Sequence, residues 1–255
     1  MAQRVFITGA SSGIGAALAL FYARQGAQLG LLGRRLSALE GVAAGLPDPG
    51  RHKIYVADVR DRTALHRAAK DFLHDGPVDV VIASAGISAG TLTEELDDFA
   101  VFEAILATNL LATVATFEPF IAPMKQRGEG RLVGVASVAA VRGLPGAGAY
   151  SASKAAVRAY CESLRVELSG TGVKVVTLAP GFIQTPMTAQ NPYKMPFLMP
   201  VDQFAQKAAG AIARGDSYRV YPWQMAWVAR LLPLVPDSIY DHFSAKSKRK
   251  PRLGR

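Results

Sequence analysis

Six short runs rich in apolar and β-branched residues punctuate this chain: "RVFIT", "AQLGLLG", "HKIYVA", "VDVVIA", "GRLVGVAS" and "GVKVVTLA". Longer stretches of helical pattern separate them. Strands that alternate with helices and lack a polar face belong in a parallel sheet covered on both sides. The expected fold is therefore α/β: a doubly wound parallel sheet of Rossmann type, three layers α/β/α, in a single domain over residues 1–245. A chain of 255 residues, half of them apolar, is long enough to bury one such core.

Between the fourth and fifth runs, "TEELDDFAVFEAILATNLLATVATFEPFIAPMKQ" has room for two helices, or for one long helix interrupted at Pro119. After the sixth run, the prolines of "PGFIQTPMTAQNPYKMPFLMPVDQF" argue against regular structure. Ligands of such a sheet gather beyond the carboxyl ends of its strands, so residues 186–202 are expected to form a substrate lid.

The net charge of +9 is uneven. The last ten residues carry Lys246, Lys248, Arg249, Lys250, Arg252 and Arg255 and no acid, which leaves +3 for the rest. Residues 246–255 are expected to form a flexible basic tail, and the body lacks the charge of a specific nucleic-acid binder. The opening "MAQRVFIT" leaves no room for a signal peptide and the one cysteine, Cys161, has no partner within the chain. A cytoplasmic home is expected. No run of about 18 uninterrupted apolar residues suggests a spanning helix, and four scattered histidines offer no metal-ligand spacing. The segment 221–243 brings Trp223, Trp227, Leu231, Leu232, Leu234 and Val235 ahead of the basic tail. Those are the ingredients of a peripheral contact with an anionic membrane; a dimer interface or a pocket wall accounts for the same residues.

The chemistry begins at "TGASSGIG", which sets Gly9, Gly13 and Gly15 between the first strand and a helix beginning near Ser12. Glycine there permits a tight turn and lets a diphosphate approach the N–H groups of the positive helix end. A strand before it and an apolar helix and second strand after it supply the context of a dinucleotide site. The second strand ends in "LLGRR". An acid at that position would accept from the ribose 2′-hydroxyl, whereas Arg34 and Arg35 can pair with a 2′-phosphate and stack on adenine. NADP(H) is favoured over NAD(H), the alternative being a solvated helix face. Asp58 is placed either to accept from the adenine amino group or to cap a helix.

Tyr150 and Lys154 stand four residues apart in "GAYSASKAAVRAYCESL" and share a helix face. An ammonium beside a phenol stabilises the phenolate and tunes it as a general acid and base. Ser137 closes the fifth run, where its hydroxyl can hold a substrate oxygen against the phenol. It lacks the glycine setting of a nucleophile elbow. Asn109, an amide in an apolar helix, can anchor a water that relays protons to Lys154 or cap a helix break.

On these motifs, from "TGASSGIG" through Asp58 and Val59, Asn109, Ser137 and "YSASK" to "PGFIQTPM", the chain resembles the short-chain dehydrogenase/reductase family in its NADP-preferring form. The resemblance covers about three quarters of the chain. It implies Tyr150 as general acid/base, Lys154 lowering its pKa and holding the nicotinamide ribose, Ser137 orienting the carbonyl and Asn109 holding the relay water. It implies cofactor contacts at Ser11, Ser12, Ile14, Val59, Ala85, Gly86, Pro180, Gly181, Ile183 and Thr185 as well, and assembly as a homodimer or homotetramer through the long helices. Where the family usually shows "NNAG", this chain has "ASAG", Ala83 to Gly86, which weakens side-chain support of the central sheet.

The expected activity is hydride transfer between NADP(H) and a ketone, aldehyde or secondary alcohol. Tyr193, Met195, Phe197, Leu198 and Met199 in the lid suggest a lipid-, steroid- or aromatic-like substrate, unless they close the core or form an interface. A protein that senses NADP(H) without turnover would have no need of Ser137, Tyr150 and Lys154 together.

Overall fold

Each of the six apolar runs forms a strand: β1 (Arg4–Thr8), β2 (Gln28–Gly33), β3 (Lys53–Val56), β4 (Val80–Ala83), β5 (Gly130–Val135) and β6 (Val173–Pro180), with β7 (Tyr218–Tyr221) added at one edge. The structure, a computed structural model, describes residues 2–246 and 248–252. All neighbouring strands pair in parallel, in the order β3-β2-β1-β4-β5-β6-β7. The order reverses between β1 and β4, and the crevice at that switch point is where a doubly wound sheet binds its ligand. Despite "ASAG", β4 stays paired through Ala83 with Thr8 on one side and Gly134 on the other.

The helices are α1 (Gly13–Arg24), α2 (Leu36–Ala44), α3 (Arg62–His74), α4 (Asp98–Leu106), α5 (Ala112–Arg127), α6 (Gly148–Glu167), α7 (Pro186–Ala189), α8 (Val201–Arg214), α9 (Trp223–Leu231) and α10 (Asp237–Ser244). β1 is buried throughout because alternate side chains feed two cores. Val5 and Ile7 pack with Leu18, Leu39 and Phe204 of α1, α2 and α8. Phe6 packs with Phe72, Phe117 and Phe120 of α3 and α5.

Pro119 does not interrupt its helix. Residues 98–127 run on without a break, through a π-helical turn at Ala107–Leu111 and with Pro119 and Pro123 inside α5. The Ala115 carbonyl, which Pro119 has no N–H to serve, has His66 Nε2 at 3.2 Å. The combined helix is long and apolar enough by composition to cross a bilayer, but here Phe117, Phe120 and Met124 are buried against the sheet.

Two expectations near the carboxyl terminus give way. Tyr221 belongs to β7 rather than to the apolar segment that follows, because a four-residue, half-exposed edge strand carries no continuous apolar signal. The tail is held rather than free over residues 250–252: Pro251 accepts from the Gly90 N–H at 2.8 Å, and Arg252 pairs with Asp98 and Glu95. Ser247, Leu253, Gly254 and Arg255 lie outside the described residues.

Candidate active site

The turn from β1 into α1 is built on backbone that only glycine adopts readily. Gly9 and Gly13 have φ of +70° and +55°, and a Cβ on Gly9 would sit 2.7 Å from the Ala85 backbone. Gly15 serves packing instead, since its Cβ would run into the Gly9 carbonyl. Ser12 is the N-cap of α1 but makes no side-chain cap bond, leaving the helix-end amides to a ligand.

One cleft at the switch point is lined by Gly9, Ser11, Ser12, Gly13 and Ile14, by Arg34 and Arg35, by Asp58 and Val59, by Ala85 and Gly86, and by Tyr150, Lys154, Pro180 and Thr185. Thr185 caps α7 and its methyl group would lie 3.5 Å from a Cβ on Gly13, so the lid is anchored beside the glycine turn. Arg34 and Arg35 are exposed at the far end of the cleft. Asp58 is not a helix cap, because Asp61 caps α3 by accepting from the Ala64 N–H at 2.9 Å. Its carboxylate is held by Arg60 (Nη2–Oδ2 2.7 Å), which, with Arg34 nearby, keeps it below the usual carboxylate range. Gly181 and Ile183 are not among the residues that line this cleft. A Cβ on Gly181 would strike Met225 of α9, and Ile183 is buried in the core with its carbonyl accepting from Thr188 Oγ1 at 2.6 Å.

Tyr150 and Lys154 stand at the inner end, with Ser137 and Asn109 buried nearby. Tyr150 lies in the first turn of α6, and Lys154, one turn on, is buried with Nζ 5.9 Å from the Tyr150 ring. The ammonium donates to the Val135 carbonyl at 2.7 Å, and burial lowers its pKa to about 8. Burial raises the Tyr150 phenol above its ordinary value; a hydrogen bond with the Ser137 hydroxyl pulls the other way, and Tyr193 of the lid adds to the rise. Ser137 is buried, its Oγ accepting from the Ala139 N–H at 3.1 Å at the carboxyl edge of β5.

Asn109 sits in the π-helical turn and is 1% exposed. It neither caps a break nor reaches Lys154 directly. Its Oδ1 accepts from the Ile87 N–H (2.8 Å), and its Nδ2 donates to the Ile87 carbonyl (3.0 Å) and to Ser153 Oγ (2.9 Å). Ser153 donates in turn to the Tyr150 carbonyl at 2.8 Å. Ile87, Val135 and Ser153 were not singled out from sequence. Two of them act through backbone groups that no residue type announces, and Ser153 stood in "YSASK" without a role. Among the lid residues, the Tyr193 ring is tilted 59° against Phe182 with centroids 6.3 Å apart, whereas Met199 is buried in the core.

The sequence matches the short chain dehydrogenase family over residues 3–195. A protein of Myxococcus xanthus (strain DK1622) described as an uncharacterized oxidoreductase is 39% identical over 245 residues, 94% of this chain and 95% of that one. The 11-beta-hydroxysteroid dehydrogenase-like 2 of Arabidopsis thaliana is 32% identical over 244 residues, 92% of this chain and 78% of its own. Among solved structures, a short-chain dehydrogenase from Streptomyces avermitilis superposes with a TM-score of 0.82 at 23% identity, covering 96% of each chain.

Proposed function

The chain belongs to the short chain dehydrogenase family of nicotinamide-dependent oxidoreductases, and from that premise we propose that it interconverts an apolar ketone or aldehyde and its alcohol with NADP(H). The observation that carries the reading is the meeting of the Ser137 and Tyr150 hydroxyls beside the Lys154 ammonium at the inner end of the glycine-turn cleft. The glycine turn at the open end of α1 supports a dinucleotide, and exposed Arg34 and Arg35 in the same cleft favour one that carries a 2′-phosphate.

The nicotinamide, when bound, supplies or takes the hydride. Ser137 donates a hydrogen bond to the substrate oxygen and orients it toward the phenol. Tyr150 gives its phenolic proton to that oxygen in reduction and takes it back in oxidation. The Lys154 ammonium, fixed by the Val135 carbonyl, favours the phenolate as the proton leaves and is placed to hold the cofactor's ribose. Asn109 keeps Ile87 in register at the border of the cleft.

The aromatic pair Tyr193 and Phe182 in the lid favours an apolar substrate, as does the hydroxysteroid name of the Arabidopsis relative. Exposed Phe99, Leu111 and Val166 on α4, the π-helical turn and α6 suit assembly with a second copy of the chain. The test is oxidation of NADPH, with NADH in parallel, against carbonyl compounds graded in size and polarity. Turnover that rises with apolar bulk, prefers NADPH and disappears in Tyr150→Phe is expected. Full activity in Tyr150→Phe would remove the phenol from the mechanism.

A further inference from the structure

The segment 87–92 follows β4 into the site, and three of its successive amides are tied to three different elements. Gly90 donates to the Pro251 carbonyl (2.8 Å), Thr91 to the Gly146 carbonyl (3.0 Å) and Leu92 to the Asp98 carboxylate (2.8 Å). Parallel bridges join Gly90 to Arg252 and Thr91 to Ala147. The end of the chain therefore lies along one flank of the segment while the loop before α6 lies along the other.

Side chains lock the arrangement. Lys250 Nζ donates to Ser88 Oγ at 2.9 Å. Arg252 places Nε 2.8 Å from Asp98 Oδ2 and Nη1 2.9 Å from Glu95 Oε1. Asp98 is 5% exposed in the first turn of α4, and a carboxylate so buried requires the compensation that the helix end and a guanidinium give. The bed on which the strap lies is made of glycine: a Cβ on Gly90 would collide with the Lys250 carbonyl, and one on Gly146 (φ +71°) would stand 3.0 Å from the Arg249 Cβ. A run that reads in sequence as a solvated cationic tail is here a bound segment.

The other end of the same loop matters for chemistry. Ile87, directly before Ser88, lines the cleft with Tyr150 and Lys154, and both of its backbone groups clamp Asn109. We propose that residues 250–252 form a strap that completes the active site. Arg252 is its positioning residue: held by Asp98 and Glu95, it fixes residues 88–92 and through them the Ile87 peptide groups that orient Asn109. The catalytic consequence rests on the reductase reading above; the mechanical one does not.

Arg252→Gln and, independently, Gly90→Val unfasten the strap from its two sides, and Arg252→Lys retains the charge. Hydrogen exchange of peptides covering 86–93 and 103–113 is measured in the full chain, together with NADPH affinity and steady-state kinetics on the best carbonyl substrate. Faster exchange in both peptides is expected, with kcat/KM reduced about tenfold or more, NADPH affinity within about twofold, and partial recovery in Arg252→Lys. Unchanged exchange in 86–93 in both variants overturns the strap whatever the activity does. Faster exchange with unchanged kcat/KM overturns its positioning role. If the parent turns over no carbonyl compound, the reductase reading fails while the exchange data still decide the strap.

Discussion

Asn109 grips Ile87 by both of its peptide groups, with Oδ1 2.8 Å from the nitrogen and Nδ2 3.0 Å from the oxygen. The π-helical turn makes the grip possible by re-aiming the asparagine out of the regular helix, and Thr113 Oγ1 donates to the Asn109 carbonyl at 2.8 Å. A side-chain amide thus stands in for the β-strand partner that the backbone after β4 lacks, and the wall of the cleft is as firm as the helix that carries it.

Replacing Asn109 by Ala removes both bonds to the half-buried Ile87 peptide groups, while Ser153 keeps the Tyr150 carbonyl as its acceptor. An unsatisfied buried group costs about 1–3 kcal/mol, so a loss in that range is expected by urea unfolding, with unchanged m. A loss under about 0.5 kcal/mol, the ordinary range of a surface change, would mean that the clamp contributes little.

Arg34 is the position at which cofactor choice is expected to turn. A charge-assisted bond to phosphate is worth about 1.5–3 kcal/mol, or roughly 10- to 100-fold in affinity. Arg34→Asp is therefore expected to weaken NADPH by at least that factor while leaving NADH nearly unchanged. Fluorescence titration of both cofactors reads it directly, and equal losses would contradict the assignment.

Lys154 carries the pH dependence. Its proton leaves at about 8, while the buried phenol stays protonated above its ordinary value. In the reductive direction kcat/KM should be level below that point and fall as pH rises through about 8, and Lys154→Arg should move the limb upward. Stability runs the other way. The folded pKa is lowered from 10.5, so the unfolded chain binds more protons between about 8 and 10.5, and stability rises with pH across that window. The burial penalty is fully present below about 8. Lys154→Met is accordingly expected to gain most over the parent at neutral pH and to lose that advantage above 10.5, as thermal unfolding at several pH values will report.

How much of this could be read from the chain follows from what each residue contributes. The five inner strands are legible because burial on both faces makes them continuously apolar, and β3, at one sheet edge, because Ile54, Tyr55 and Val56 keep an apolar run though the strand is only half-buried; "YRVY" at the other edge is half-exposed and interrupted by Arg219, and escapes the same criterion. Tyr150, Lys154, Ser137 and the glycine turn are legible because their chemistry needs those residue types at those spacings. The partners that hold them, the Ile87 peptide and the Val135 carbonyl, are backbone groups any residue supplies. Asp58 reads in sequence as an adenine contact or a helix cap, and the cap falls three residues on, at Asp61, which accepts from the Ala64 N–H. The terminal cations misled for a related reason, since charge alone does not reveal that a buried carboxylate, Asp98, is waiting for one of them.

The segment that follows β7 is helical. Pro233 and Pro236 divide it into α9 and α10, and each helix shows water an apolar stripe at four-residue spacing: Trp223, Trp227 and Leu231 on the first, Ile239 and Phe243 on the second. Six large exposed apolar side chains within 21 residues, Leu234 included, exceed what scattered surface hydrophobics need explaining. Exposed Arg230, Lys246, Lys248 and Arg249 lie along the same stretch, and indole rings beside cations suit the boundary of an anionic bilayer. The intact protein is expected to sediment with phosphatidylglycerol vesicles, with a blue shift of tryptophan emission and release by salt. Trp227→Glu should abolish both while leaving turnover in solution intact. Failure of the intact protein to bind overturns that expectation, and dissociation of an oligomer by Trp227→Glu would give this face to a second copy of the chain.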